Sequence, residues 1–253
     1  MGAAGERFVY HDAENGAANA LFRNEGEFSF RDVTRATGLD QNNRRWSFAA
    51  SWEDFDDDGD QDLYVANDYG RNNLYRNDEG RFVDVAASAG VEDSASGMSA
   101  AWGDYDGDGD LDLYVGNEGF AAQLFRNDDG RFTDIAAKAG VDGAGVVKGT
   151  AWGDYDNDGD EDLYVSVRGG ANRLYRNDGR GRFEDVAETL GVVGPYRSFP
   201  VWFWDCNNDG ALDLYVASYR EGVEQVARDY LGQAHDSETD ALYLGDGRGG
   251  FRE

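Results

Sequence analysis

The sequence predicts an all-β chain folded as a β-propeller of four-stranded antiparallel blades, and three observations predict it. A twelve-residue pattern recurs four times: DFDDDGDQDLYV from Asp54, DYDGDGDLDLYV from Asp104, DYDNDGDEDLYV from Asp154 and DCNNDGALDLYV from Asp205. The spacings are 50, 50 and 51 residues. The first three copies are followed by NNLYRN, AQLFRN or NRLYRN (72–77, 122–127, 172–177), and then by RFVDVA, RFTDIA or RFEDVA (81–86, 131–136, 182–187). Turn residues separate these runs, as in Asn77-Asp78-Glu79-Gly80, Asn127-Asp128-Asp129-Gly130 and Asn177-Asp178-Gly179. Four short apolar or aromatic runs in each repeat of roughly 50 residues, punctuated by turns, suit one antiparallel sheet per repeat.

Each element follows from its run. Strand one is an apolar stretch ending at Trp or Phe just before the acidic loop, as in SAAWGDY (99–105). Strand two is DLYV, strand three is LYRN or LFRN, and strand four is the RFxDVA run. The ends hold partial patterns. Residues 19–32, NALFRNEGEFSFRD, read as the second half of a unit. Residues 240–253, DALYLGDGRGGFRE, read as the second half of the last one, with Leu244-Gly245 in place of Arg-Asn. About five units therefore make up a single domain over 1–253, at about 8–46, 47–97, 98–147, 148–197 and 198–253. The first lacks its opening strand and loop. An insertion at 219–240 interrupts the last unit. There Val223, Val226, Ala227, Tyr230 and Leu231 recur at helical spacing, which predicts a short amphipathic helix at 222–232 lying over the propeller.

Composition narrows the function. Lys and Arg total 23 against 51 Asp and Glu, so 23 − 51 gives −28. That charge argues strongly against nucleic acid and against anionic membrane surfaces as partners. One cysteine, Cys206, permits no internal disulfide, and two histidines, His11 and His235, permit no multi-histidine metal centre. No apolar run has transmembrane length, and residues 1–20 show no signal-peptide pattern. Only Lys138 and Lys148 are lysines; the bias towards arginine fits a high-salt organism or a GC-rich genome.

The acidic loops carry the chemistry. In D-x-D-x-D-G-x-x-D, alternate side chains converge, and glycine at position 6 permits the sharp turn. An all-oxygen, carboxylate-rich set suits a hard cation, and calcium above magnesium, zinc or copper. The candidate side-chain ligands are Asp54, Asp56, Asp58 and Asp62; Asp104, Asp106, Asp108 and Asp112; Asp154, Asp156, Asp158 and Asp162; and Asp205, Asn207, Asp209 and Asp213. Position 7 (Asp60, Asp110, Asp160 and Ala211) is expected to supply its backbone carbonyl, since Ala211 has no carboxylate to give. About four Ca²⁺ sites are expected, structural in role. An EF-hand is excluded: position 12 holds Val65, Val115, Val165 and Val216 instead of Glu, and strand chemistry follows directly.

The remaining candidates read mostly as architecture. Trp52, Trp102 and Trp152 are expected to pack between blades, with Phe203 in that place in the last unit. Arg23, Arg76, Arg126 and Arg176 are expected to pair with Asp32, Asp84, Asp134 and Asp185. Cys206 reads as a packed side chain, not a nucleophile. His235 beside Asp236 is a weak catalytic pair. Ligand contacts are sought at non-repeating loop residues: Tyr69, Arg71, Glu118, Phe120, Arg168, Tyr196, Arg197, Tyr219, Arg220 and the helix at 222–232.

These motifs resemble the FG-GAP/VCBS repeat family, whose calcium loops occur in integrin α-subunit propellers. The combination DxDxDGDxDLYV, LYRNDG and RFxDVA, with DYLG at 229–232, is similar to the cartilage-acidic-protein family and its bacterial relatives, which often carry an additional ASPIC/UnbV domain. The resemblance covers about residues 8–253. It implies an exported protein, placed extracellularly, on the cell surface or in the periplasm. It also implies calcium loops on one face and the remaining connections (66–73, 116–123, 166–173 and 217–241 within blades; 35–47, 88–99, 138–149 and 189–198 between them) on the other. Relatives generally have more blades, so the chain reads either as part of a six- to eight-bladed propeller or as five blades closing one strand short. The expected function is a binding, adhesion or scaffold module for a protein or glycan ligand. The alternative is a propeller-fold enzyme of lyase, hydrolase or cyclase type.

Overall fold

The structure is a computed structural model that describes residues 13–219, 222–234 and 238–252. His11, Arg220 and His235 lie outside the described residues, so the His235 pairing is not addressed by it.

The repeat becomes sheets as expected. The first unit contributes β1 (Phe22–Gly26) and β2 (Ser29–Asp32), a two-stranded antiparallel pair, followed by α1 (Thr34–Thr37). The second forms β3 (Trp46–Glu53), β4 (Asp62–Tyr69), β5 (Asn73–Asp78) and β6 (Arg81–Asp84), then α2 (Ala86–Ala89). The third forms β7 (Gly97–Gly103), β8 (Asp112–Asn117), β9 (Gln123–Asp128) and β10 (Arg131–Asp134), then α3 (Ala136–Ala139). The fourth forms β11 (Val147–Gly153), β12 (Asp162–Val167), β13 (Arg173–Asn177) and β14 (Phe183–Asp185), then α4 (Ala187–Leu190). The last runs β15 (Ser198–Trp204), β16 (Asp213–Ser218), α5 (Val223–Tyr230), β17 (Ala241–Gly245) and β18 (Phe251–Arg252). Units two to five are four-stranded meanders in sequence order. Their first strands, β3, β7, β11 and β15, lie side by side, so the sheets fan out from a common axis.

Three expectations need correction. The RFxDVA run is strand only as far as its aspartate. Asp84, Asp134 and Asp185 then accept the backbone N–H two residues on, from Ala86 (3.2 Å), Ala136 (3.0 Å) and Ala187 (3.1 Å), and turn the chain into a one-turn helix. Asp32 does the same with Thr34 at 2.9 Å. Because these acids serve the joint, the repeat arginines pair elsewhere. Arg23 meets Glu25 (2.8 Å), Arg76 meets Asp78 (3.0 Å), Arg126 meets Asp128 (2.7 Å) and Arg176 meets Glu184 (3.0 Å). The insertion helix forms at Val223–Tyr230, but none of its residues is buried. Val223 is 87% and Tyr230 92% exposed, so its apolar side faces away from the sheets.

The core lies between sheets. Trp102 stacks on Phe55 of the preceding unit at 6.3 Å, meets Tyr64 edge-on at 6.3 Å and touches Phe132 at 6.0 Å. Trp152 repeats the arrangement with Tyr114 and Phe183 and donates to the Ala101 carbonyl at 3.2 Å. Phe203 meets Tyr164 edge-on at 6.4 Å. Inter-sheet packing of these positions is therefore realised. Trp52 differs. It is 40% exposed and contacts Phe82 of its own unit. Beside it an apolar cavity of 390 Å³ is lined by Leu21, Leu39, Leu63, Val65 and Tyr75.

Turn chemistry fixes the outer hairpins. Glu79-Gly80 and Asp129-Gly130 all have positive φ, the two-residue geometry whose twist matches paired strands. Asn77 and Asn127 lock these turns by accepting the N–H of Gly80 and Gly130, each at 2.8 Å.

Candidate functional site

Each acidic loop is closed by the carboxylate at position 9. Asp112 is fully buried; its Oδ1 accepts the N–H of Asn127 at 2.8 Å and its Oδ2 that of Tyr105 at 3.2 Å. Asp62 does this with Asn77 and Phe55, Asp162 with Asn177 and Tyr155, and Asp213 with Gly245 and Cys206. One side chain thus ties the start of the loop to strand three. Burial pushes the carboxyl of Asp62 up to about 6, and those of Asp112 and Asp162 up to about 8. Backbone N–H donors oppose that shift.

Positions 1 and 5 are pre-set by the loop's own backbone. Asp54, Asp104, Asp154 and Asp205 each accept the N–H groups of positions 5 and 6, at 2.9 to 3.1 Å. Asp58, Asp108, Asp158 and Asp209 accept the N–H of position 7. The glycines at position 6 have positive φ, and so do Asp57, Gly107, Asn157 and Asn208 at position 4. Those residue types tolerate the left-handed region best, a second conformational constraint of the loop that the motif carries without announcing it.

Three acids converge in three loops. Asp54, Asp56 and Asp58, then Asp104, Asp106 and Asp108, then Asp154, Asp156 and Asp162 each place one carboxylate oxygen apiece within 4.8 Å of the others. The position-3 acids Asp56, Asp106 and Asp156 are raised in pKa by burial first and by the neighbouring position-5 aspartate next. Oδ1 of Asp56 is buried without a hydrogen-bond partner. Convergent oxygens, mutual repulsion and an orphaned oxygen are what a bound hard cation would relieve, so the donor set fits one. Position 7 points elsewhere: Asp60 accepts the N–H of Glu79 (2.6 Å) and Asp110 that of Asp129 (3.1 Å). Its carboxylate is spent on the hairpin turn, which agrees with alanine at 211. The fourth loop has Asn207 at position 3, and its Oδ1 accepts the N–H of Asp209 at 2.8 Å.

Cys206 is a free, half-buried thiol whose pKa is raised by its hydrogen bond with Asp213. A raised thiol is a poor nucleophile.

At the other end of the strands the sequence reading missed a position. Every first strand carries a β-bulge: pairing jumps from Ser47 to Ala49, from Gly97 to Ser99, from Val147 to Gly149 and from Ser198 to Val201. Bulges re-aim side chains, and the skipped Phe48, Met98, Lys148 and Phe199 meet at the axis. Lys148 is buried; its Nζ donates to Glu118 Oε2 at 2.6 Å and Met98 Sδ at 3.3 Å, and lies 5.0 Å from the Phe48 ring. Phe48 meets Phe199 at 6.3 Å, and Phe199 stacks on Tyr219 at 5.7 Å. Tyr69 meets Trp46 edge-on at 6.3 Å. The only available signal was that Phe48, Met98, Lys148 and Phe199, at spacings of 50, 50 and 51, each stand four residues before the repeated aromatic Trp52, Trp102, Trp152 or Phe203.

Of the other candidates, Tyr69, Phe120, Tyr196 and Tyr219 are exposed, and Glu118 is engaged by Lys148. Arg71 pairs with Glu92 at 2.7 Å. Arg168 and Tyr196 line a separate open cleft of 720 Å³ with Arg173 and Glu188. The backbone N–H of Arg197 donates to Glu238 at 2.8 Å.

Loops, meanders and bulges together define a repeat propeller-type architecture with acidic cation-type loops. The family model of the FG-GAP-like repeat matches residues 54–115 and 154–216, so the chain carries FG-GAP-like repeats in these two stretches. Among solved structures the chain is similar to an Agrocybe aegerita lectin studied for specific recognition of non-reducing terminal N-acetylglucosamine. Identity is 16% and the TM-score 0.53, over 94% of this chain and 60% of the lectin chain. This likeness concerns the fold, and the chain spans 60% of the lectin's length. A Photorhabdus luminescens Tc holotoxin pore is 16% identical with a TM-score of 0.41, over 92% of this chain and 10% of that one. No curated protein matches the chain.

Proposed function

We propose that this protein is a calcium-stabilised, propeller-type binding module that works outside the cytoplasm and holds a protein or glycan ligand at the axial end opposite the acidic loops. The metal half of the reading is supported by the convergent carboxylates of the loops. All twenty loop positions from Asp54 to Asp213 named above take part as ligands or as the frame that sets them, with Ca²⁺ in up to four sites. Calcium at about 10⁻⁴–10⁻³ M fills such extracellular modules, which favours export to the cell surface, the periplasm or the surrounding medium. No helix among the described residues is long and apolar enough to cross a membrane.

One observation carries the binding half. The four bulged positions share one place in the fold yet hold Phe48, Met98, Lys148 and Phe199, and Phe199 carries this cluster out to exposed Tyr219, while exposed Tyr69 lies against Trp46 at the same end of the sheets. The fold does not demand a lysine at such a place, because the sister positions Phe48, Met98 and Phe199 are uncharged. Exposed aromatic rings set around a fixed charge pair supply rigid contact area and orientation.

The test is a glycan array and a surface-protein panel probed with calcium-loaded protein and with Phe48→Ala, Tyr69→Ala and Tyr219→Ala. The reading expects a bound ligand whose retention drops at least about tenfold in one or more variants, with unfolding midpoints unchanged. A ligand retained equally by all three would remove the axial mouth as the binding surface.

A further inference from the structure

A chain of net charge −28 spreads its cations thinly, yet one cleft gathers four of them. It opens between the third and fourth units beside the second acidic loop, has a volume of 180 Å³, and is lined by Tyr105, Arg126, Lys138, Arg180 and Arg182, with Asp106 as its acid. Arg126 also reaches Asp128 at 2.7 Å. Lys138, Arg180 and Arg182 have no ion pair among the described residues.

The sister cleft between the second and third units shows that the fold does not require this. There the matching places hold Phe55, Arg76, Ser88, Asp129 and Arg131. Lys138 thus stands where its sister has serine, and Arg180 where its sister has aspartate. The turn of the fourth unit is one residue longer, six positions from Asn177 to Phe183 against five from Asn127 to Phe132. Oδ1 of Asp178 fixes this turn by accepting the N–H groups of Arg180 (2.9 Å) and Arg182 (3.1 Å). Four like charges around one small space repel one another unless an anion sits among them. Guanidinium forks match the edges of a tetrahedral oxyanion, and a lysine adds a mobile point charge.

We propose that this cleft binds a tetrahedral oxyanion, the sulfate or phosphate ester group of a ligand. The site is separate from the axial mouth and does not rest on that assignment. Four cations set against Asp106 and the Asp128 that Arg126 already meets leave two positive charges, which suit a dianion better than a single carboxylate ligand. Calcium in the adjacent loop would offset the charge of Asp106 and strengthen the anion's hold.

Isothermal titration calorimetry tests it on the whole chain in millimolar calcium at fixed ionic strength, with inorganic sulfate, glucose 6-sulfate and glucose 6-phosphate as probes. A single saturable site is expected. The preferred sugar ester identifies the source of the oxyanion. Lys138→Ser with Arg180→Asp gives this cleft the residues its sister carries, and should weaken binding at least about tenfold with the melting curve unchanged. The reciprocal Ser88→Lys with Asp129→Arg should create a second site, which keeps the test decisive if the first pair fails to fold. Absence of saturable binding for all three probes, or equal affinity in the folded Lys138→Ser, Arg180→Asp protein, would overturn the proposal.

Discussion

Asp112 carries more of this fold than its place in an acidic motif suggests. Both its oxygens take backbone N–H groups from separate segments, so an amide there must turn one N–H toward another. Asp112→Asn is expected to cost about 2–3 kcal/mol, as leaving a buried backbone N–H donor without its acceptor does. Asp110→Ala should cost under about 1 kcal/mol, because its bond to the exposed Asp129 N–H is replaceable by water. Urea unfolding of the two variants checks the contrast. Titration supplies a second expectation. Asp112 and Asp162 have folded-state values near 8 and Asp62 near 6, above the roughly 3.9 of an unfolded aspartate. The folded state then binds more protons than the unfolded one between about pH 4 and about pH 8, so stability falls as pH rises through that window. In chelator, unfolding at pH 5 should need more urea than at pH 8. Calcium favours the ionised carboxylates and should flatten that slope. A metal-free protein growing more stable toward pH 8 would contradict the burial account.

At the scale of elements, position decides what a repeated residue is worth. Trp102 sits among Phe55, Tyr64 and Phe132, whereas Trp52 lies against Phe82 with 40% of its surface in water. Trp102→Ala should cost about 3–5 kcal/mol and Trp52→Ala less than half of that, read as denaturation midpoints. The helix Val223–Tyr230 makes the opposite case. Val223→Ser with Tyr230→Ser should change stability by no more than about 0.5 kcal/mol, since neither residue is buried. These elements also show what a sequence discloses. Strands and loops were legible because short apolar or aromatic runs bounded by turn residues act locally and recur in four units. The joint helices were not: their signal, an aspartate two residues before a short alanine-rich turn, is shared with the end of a strand. The arginine partners were misread for a related reason. Asp84 and its counterparts bond the nearest backbone N–H, and the arginines take whichever acid their own hairpin offers. The apolar spacing of the insertion identified a helix correctly, but spacing alone cannot say what an apolar face meets.

Across the whole molecule, charge and fold are tied through the loops. Twenty of the 51 acids lie in the four acidic segments, where several carboxylates converge and repel. A site of about 10⁻⁴ M affinity contributes about 1.4 kcal/mol at roughly millimolar calcium. Four such sites give roughly 5–6 kcal/mol, within the about 5–15 kcal/mol that holds an ordinary domain together. The axial mouth at the other end is positioned by the same sheets, since each first strand runs from its bulge to its loop. Loosening the loops therefore loosens the frame of the proposed binding face.

The most direct measurement is the thermal unfolding midpoint in millimolar calcium and again in excess chelator, at fixed ionic strength. The account predicts a large drop on chelation, with magnesium restoring little of it. An unchanged midpoint would contradict it: the converging aspartates would then be solvated turns, and the stability of this acidic chain would have to come from its inter-sheet aromatic packing alone.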